Sequence, residues 1–360
     1  MRVLHICESV TGGIATYLNE LVPCQIEKYG SDCVHLVVPH SQKEEISIPS
    51  QNLTYFDEVN RKSLVTQLRM LVSYQKDVKE FRPTVVHIHS TFAGFWFRLG
   101  LFFTLKRPYK VIYCSHGWAF DRECSEKTKK AIIFIEKLLS HKTDRIVCIS
   151  KHDLQVAKKC GLNQNKLTLV KNTIKEVPVT LAAAEISQDT KNFLFVGRFD
   201  KQKGFDLLLE AIAATRSEDF RVYCIGDFVV NNDLKQLEMV SSDKRIIHLG
   251  WKPKLEVMQY MKACDALIMP SRWEGFGLVA LEALNCGCPV FHSGKGGLSE
   301  HLDDCDYYKA LSKPVALNLQ HLLKYSTKFG LQKIRNNLVE NYSNSYSIFD
   351  LTESLEKLYK

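Results

Sequence analysis

The stretch PSRWEGFGLVALEALNCGCPV, Pro270 to Val290, follows a short apolar run, Ala266 to Met269, and a Pro270-Ser271 turn. It places two carboxylates, Glu274 and Glu282, around the glycines Gly275 and Gly277. A helix that starts near Gly277 leaves the N–H groups of Phe276, Gly277 and Leu278 without helical acceptors. The positive end of its dipole then suits an anion. Leu278, Leu281 and Leu284 recur on one face, and Gly287 reads as the terminating glycine. Glu282 falls about five residues, roughly 7 Å, along that helix. That is on the order of the separation between a diphosphate and the ribose hydroxyls of a nucleotide. The solvated edge of an apolar helix is the other reading of Glu282, and the stretch alone leaves both open. The pattern of strand, glycine loop and helix points to an α/β protein.

The pattern recurs along the chain. Short β-branched runs separated by helical stretches predict strands at Val3–Cys7, Cys33–Val38, Val85–His89, Val111–Cys114, Arg145–Ile149 and Leu167–Val170. A second series follows at Phe193–Val196, Arg221–Ile225, Ile246–Leu249, Ala266–Met269 and Pro289–Phe291. Two alternating series in 360 residues imply two doubly wound, Rossmann-like domains. The expected boundaries are 1–178 for the first domain, 179–346 for the second and 347–360 for a final amphipathic helix. Lys175 to Asn192, with Pro178 and small residues, reads as the linker.

Composition narrows the function classes. With 45% hydrophobic and 24% charged residues the chain is that of a globular protein. The twelve cysteines fall mostly in apolar runs, form no CxxC pair and join no histidine cluster of zinc spacing, which favours buried reduced thiols. No secretory signal segment is visible, and Phe92–Leu105, the longest apolar stretch, contains Arg98 and is too short to span a bilayer. The formal charge is +8, yet residues 1–178 hold 26 Lys and Arg against 17 Asp and Glu, whereas 179–360 hold 22 against 23. That basic half shows no aromatic-interleaved stripe of the nucleic-acid type, so nucleic acid is not expected and an anionic membrane stays in play.

Two further loops suit anions. Gly12-Gly13 in SVTGGIATYLNEL lie between the first strand and a helix; a bare diglycine also serves a tight turn, and it is not GxGxxG. In FVGRFDKQKGFDLLLEAI, Arg198 and Lys203 stand five residues apart on a glycine-punctuated loop ahead of a helix. They suit a diphosphate, or they simply face water.

Together with VVHIHS and RIVCIS, these motifs resemble those of the family 4 retaining glycosyltransferases, over nearly the whole chain and in the family's order. The resemblance implies a GT-B fold, two Rossmann-like domains facing across a cleft, with the last helix crossing back to the first domain. It assigns Arg198 and Lys203 to the donor diphosphate and Glu274 to the donor sugar. Backbone donation falls to Phe276, Gly277 and Leu278, and Glu282 takes the ribose. Gly12 and Gly13 are assigned to the phosphates, and His116, in YCSHGWAF, to the donor sugar. The catalytic set implied is Glu274, His116, Arg198 and Lys203. The sequence departs from the family's frequent His-Asp at His116-Gly117 and from Asn-Gly-Val at Asn172-Thr-Ile.

The activity implied is transfer of a hexosyl or N-acetylhexosaminyl group, with retention, from a nucleotide-sugar to a saccharide or polyprenyl-diphosphate-linked acceptor in surface polysaccharide synthesis. UDP-sugar is expected because UDP is the commonest donor nucleotide in such enzymes, its base read by backbone near Gly226 and Trp251. The nucleotide-sugar is a substrate, and no cofactor is expected. No metal is expected either: the acidic run Asp303-Asp304-Cys305-Asp306 sits past the donor motifs and reads as a surface turn. Ser125–Lys142, with five lysines around Ile132, Ile133, Phe134, Ile135, Leu138 and Leu139, suits either a core helix or an anionic membrane surface. The expected location is cytoplasmic, peripheral on the inner face of the cytoplasmic membrane. A nucleotide-sugar epimerase of the same architecture and a silent nucleotide-sugar-binding subunit are the alternatives.

Overall fold

The computed structural model describes residues 1–57, 63–104, 106–175, 178, 180–228, 234–300, 308–312, 314–342 and 347–360. The chain divides into two compact units, Met1–Lys175 with Tyr346–Lys360, and Glu176–Ser345. Asp303-Asp304-Cys305-Asp306 lies outside the described residues.

The first unit holds strands β1 (Val3–Cys7), β2 (Val34–Pro39), β3 (Leu53–Phe56), β4 (Val85–His89), β5 (Lys110–Cys114), β6 (Arg145–Cys148) and β7 (Leu167–Leu169). Helices α1 (Gly13–Tyr29), α2 (Leu64–Phe81), α3 (Thr91–Gly100), α4 (Glu126–Ser140) and α5 (Lys151–Lys159) connect them. All pairs are parallel, in the order β3-β2-β1-β4-β5-β6-β7. A parallel sheet needs cover on both faces, and every residue of β1 and β4 is buried. Side chains alternate along a strand, so Leu4 and Ile6 enter one core layer with Val86, Ile88 and Trp118 while His5 points to the other face.

The second unit repeats the design. Strands β8 (Lys191–Val196), β9 (Phe220–Ile225), β10 (Ile246–Gly250), β11 (Ala266–Met269), β12 (Val290–His292) and β13 (Tyr308–Ala310) run parallel in the order β10-β9-β8-β11-β12-β13. Helices α6 (Phe205–Ala214), α7 (Leu234–Ser242), α8 (Lys254–Ala263), α9 (Leu278–Asn285), α10 (Val315–Tyr325) and α11 (Lys328–Asn341) accompany them. One face carries Phe193, Phe195, Phe199 and Phe205; the other carries Leu194, Met261, Ala280 and Leu284. In both sheets the strand order reverses beside the first strand, between β1 and β4 and between β8 and β11. Ligands of doubly wound sheets bind at such a switch point, outside the carboxyl ends of the strands.

The last helix, α12 (Ile348–Tyr359), belongs to the first unit. Ser347 caps it, accepting from the Phe349 N–H. Leu351, Thr352, Leu355 and Tyr359 are buried, and Glu356 pairs with Lys28 of α1 at 2.6 Å.

Three expectations need correction. The strands β3 and β13 were not predicted; the first is a short edge strand of mixed burial and the second has three residues. Strand β8 begins at Lys191, ahead of the expected Phe193, because its backbone already pairs with Phe220 of β9; the buried ammonium donates to the carbonyls of Leu323 and Ser326. The expected linker is largely committed to the second unit: Leu181 and Ile186 pack on its core, and the Ala184 N–H donates to Gln259 O. The described cysteines are free thiols, seven of them buried.

Candidate active site

In the second unit the loops after β8 and β11 meet at the switch point. Gly197 and Gly226 end β8 and β9 so close together that a Cβ on Gly226 would overlap the Gly197 carbonyl oxygen. Beyond Gly197, Arg198 Nε donates to Asp200 Oδ2 at 2.9 Å and its Nη2 to Gln202 Oε1 at 2.8 Å, which holds the guanidinium across its own loop. Asp200 also accepts from the Lys203 N–H at 2.9 Å. The loop is therefore folded around Asp200, a residue the sequence reading passed over.

The β11 loop is fastened to it. Arg272 donates through both terminal nitrogens to Asp206, at 2.6 and 2.8 Å, and its backbone N–H reaches Gln202 O at 2.8 Å. Such a bidentate pair fixes orientation as well as distance. Lys203 Nζ donates to Glu274 Oε1 at 2.5 Å, and Ser271 Oγ donates to the same oxygen at 3.0 Å. Glu274 is buried. Behind it the chain packs against Gly296 and Gly297: the Gly297 N–H donates to Glu274 O at 2.9 Å, and a Cβ on either glycine would overlap the 274–276 backbone. The GKGG run at 294–297 thus supports the carboxylate loop, and sequence reading missed it.

Gly277, at φ 82°, starts α9, and no side chain caps it. The first-turn N–H groups, Leu278 among them, open the helix with its positive dipole end. Glu282 is buried, as are Leu278, Leu281 and Leu284, so the solvated-edge reading does not hold. Lys254 of α8 lies 3.6 Å from its Oε1. Gly226 and Trp251 also approach one another in this unit, since the Gly226 N–H donates to Gly250 O at 2.9 Å; the Trp251 side chain is exposed.

Gly12, Gly13 and His116 belong to the first unit. Gly12 (φ 58°) precedes α1, and Tyr17 on that helix meets His116 edge-on, with ring centroids 4.9 Å apart. His116 itself has φ 54°, a strained value for a residue with a Cβ. Its Nε2 lies 2.9 Å from His89 Nδ1. Burial pushes its pKa down to about 3, so the ring is neutral at pH 7.

Residues 11–176 match the family model for Glycosyltransferase Family 4, and residues 180–342 match that for Glycosyl transferases group 1. An uncharacterised 41.2 kDa protein in the cps region of Klebsiella pneumoniae is 35% identical over 313 residues, 84% of each chain. The chain belongs to glycosyltransferase family 4. This family 4 glycosyltransferase is also 28% identical to the UDP-Gal:alpha-D-GlcNAc-diphosphoundecaprenol alpha-1,3-galactosyltransferase of Escherichia coli, over 65% of this chain and 64% of that one. The solved structure of Anabaena Alr3699/HepE in complex with UDP has a TM-score of 0.73 over 99% of both chains at 16% identity, a likeness of fold alone. The fold is GT-B, built from two parallel-sheet α/β units.

Proposed function

We propose that this glycosyltransferase moves a hexosyl or N-acetylhexosaminyl group, with retention, from a UDP-sugar to a lipid-linked or saccharide acceptor in surface polysaccharide synthesis. The carrying observation is the Lys203–Glu274 pair at the switch point, beside the open first turn of α9 and the looped Arg198. An ammonium has three hydrogens to donate, so Lys203 can hold Glu274 and a phosphate oxygen together. Glu274 is thereby turned toward sugar hydroxyls. Arg198, Lys203 and the N–H groups of Phe276, Gly277 and Leu278 face the charge that grows on the departing diphosphate, and Glu282 accepts from the ribose. The acceptor hydroxyl enters on the face from which the diphosphate leaves: its oxygen bonds to the anomeric carbon, the carbon–phosphate oxygen bond breaks, and the leaving oxygen takes the proton. With two cations and a helix terminus on the diphosphate, the reaction needs no metal ion in this reading. His116 and the Gly12-Gly13 turn are the ligand-facing groups of the first unit. The relatives that support the donor and acceptor are the Escherichia coli enzyme, with its UDP-Gal and diphosphoundecaprenol-linked substrates, and the UDP-bound structural neighbour.

The test is a thermal-shift series with UDP, GDP and ADP, followed by transfer assays of the wild type and Glu274→Ala. A ligand held at a hundred times its Kd stabilises the fold by about 2.7 kcal/mol, so UDP should raise the unfolding midpoint where the others do not. Glu274→Ala should bind UDP and transfer nothing. Equal shifts for the three nucleotides remove the UDP assignment, and normal turnover of the variant removes the catalytic one.

The same proposal places the enzyme on an anionic membrane. No described helix is long and apolar enough to cross one. Helix α4 has two apolar faces: Leu139 is buried and Ile132 and Ile133 pack on the core, whereas Phe134, Ile135 and Leu138 are exposed. Phe103 is 87% exposed and Phe134 is 69% exposed. Lys142 lies over the Phe102 ring at 5.0 Å, which brings the basic end of the α4 region to the Leu101–Phe103 turn. Exposed aromatics on and beside a lysine-bearing helix suit the interface of an anionic bilayer.

A further inference from the structure

Between the sheet of the first unit and its helices α1 and α12 lies a run of buried histidines. His5 on β1 pairs in register with His87 on β4, and His89 follows two residues on, so all three rings share one face. His5 and His89 stack with ring centroids 5.2 Å apart, and His87 and His89 lie tilted at 4.2 Å. The polar contacts form a chain. Gln25 Oε1 lies 2.6 Å from His5 Nε2, His5 Nδ1 lies 2.9 Å from His89 Nε2, and His89 Nδ1 lies 2.9 Å from His116 Nε2. Tyr359 joins from α12: its hydroxyl accepts from Gln25 Nε2 at 3.3 Å and lies 2.8 Å from His87 Nδ1.

An amide oxygen only accepts, so His5 carries its hydrogen on Nε2. A neutral imidazole then has a bare Nδ1, which takes the Nε2 hydrogen of His89. The bare Nδ1 of His89 in turn takes the Nε2 hydrogen of His116. One bare nitrogen is left over, Nδ1 of His116, which has no hydrogen-bond partner among the described residues. Each step requires a neutral ring, because an imidazolium offers no acceptor. Burial supplies that condition, lowering the pKa of His5 to about 4 and those of His87 and His89 well below the ordinary value. Turning the Gln25 amide over would reverse every bond and leave an N–H at His116 instead.

We propose that Gln25 fixes His116 as the Nε2–H tautomer through His5 and His89, so that Nδ1 is presented as an acceptor for a sugar hydroxyl. Gln25, His5 and His89 are positioning residues on this account. The inference rests on the reading that His116 meets the sugar. A metal ion is the competing use of His5, His87 and His89, whose ligand atoms lie within 4.8 Å of one another. Nitrogens sharing a tetrahedral ion at about 2.0 Å stand roughly 3.3 Å apart. The 2.9 Å between His5 and His89 is instead a hydrogen-bond distance.

The test is nitrogen NMR of the full chain labelled at histidine, each signal assigned by its loss in the matching His→Gln variant. His5, His89 and His116 should all show the Nε2–H pattern. In Gln25→Leu the three should lose their common tautomer, and in Gln25→Glu, whose carboxylate can only accept, they should regain it. UDP should bind Gln25→Leu as it binds the wild type, while kcat/KM for the sugar donor falls about tenfold from the loss of orientation and recovers in Gln25→Glu. Nδ1–H at His116, tautomers unaffected by Gln25→Leu, or one equivalent of bound zinc in the purified protein would each overturn the proposal. The tautomer readout needs no substrate. Loss of the common tautomer in Gln25→Leu with unaltered sugar-donor kinetics would leave the chain standing and remove only its tie to the sugar.

Discussion

Lys203 and Glu274, 71 residues apart in sequence, meet at 2.5 Å where the strand order of the second sheet reverses. The cation that would meet a phosphate is already engaged with the carboxylate that would meet a sugar, so neither is organised without the other.

Replacing Lys203 with Ala should therefore damage more than phosphate binding. Loss of one preorganised group facing developing charge costs on the order of a hundredfold or more in kcat. Glu274 would keep Ser271 as a donor but lose its counter-charge. We expect kcat to fall at least that far, with a smaller loss of thermal stability. Steady-state kinetics that show a raised KM for donor and an unchanged kcat would limit Lys203 to binding.

Gly296→Ala should destabilise the second unit through the carboxylate loop. The residue sits at φ 62°, and its Cβ would overlap the Glu274 carbonyl oxygen; Gly250, at φ 66°, has open space around a Cβ. The left-handed backbone alone costs roughly 1–2 kcal/mol in either variant. The excess loss in Gly296→Ala over Gly250→Ala, read by thermal unfolding, reports the steric contact, and UDP stabilisation should weaken in Gly296→Ala. Equal losses would show that the loop yields freely.

Acid should unfold the first unit through its histidines. His5, His87, His89 and His116 have lowered pKa values in the fold, chiefly from burial, while the unfolded chain takes up protons near pH 6.5. The unfolded state then holds more protons at low pH. Stability is complete above about 6.5 and falls as the pH drops toward about 4, the folded value of His5, by about 1.4 kcal/mol per pH unit for each such histidine. Denaturant midpoints should drop between pH 7 and pH 5. A flat profile over that range would contradict the buried, neutral assignment.

Phe103→Ser with Phe134→Ser should release the protein from vesicles containing phosphatidylglycerol without altering its fold. Both side chains are largely exposed, so little core burial is lost. Flotation should show binding by the wild type that weakens with added salt, and several-fold less binding by the double variant. Equal binding by the two proteins would place membrane contact elsewhere.

Much of this was legible in one dimension. The apolar runs marked eleven of the thirteen described strands to within one or two residues, and the glycine loops singled out Arg198, Lys203, Glu274 and Glu282. What escaped was whatever depends on a distant partner. Asp200 looks like a loop acid until Arg198 and the Lys203 N–H close on it. Arg272 needs Asp206, 66 positions away, and the glycines at 296 and 297 matter because of backbone more than 20 residues upstream. Lys191 reads as a surface residue because its carbonyl partners lie 132 and 135 positions on. His5, His87 and His89 look like ordinary strand residues. Their arrangement becomes visible only when register sets β1 beside β4 and Tyr359 arrives from the other end of the chain.

The first unit is also assembled out of chain order. Helix α12, which covers α1 and supplies Tyr359, is translated after the whole of Glu176–Ser345. A ribosome thus completes every strand of the second sheet while the first still lacks its closing helix, and the buried Nδ1 of His87 has no phenol to meet. During that interval the apolar seat of Leu351 and Leu355 is open to water. The first domain to emerge is the last to be finished, and a nascent chain halted before α12 would hold a complete second sheet beside an unsealed first one.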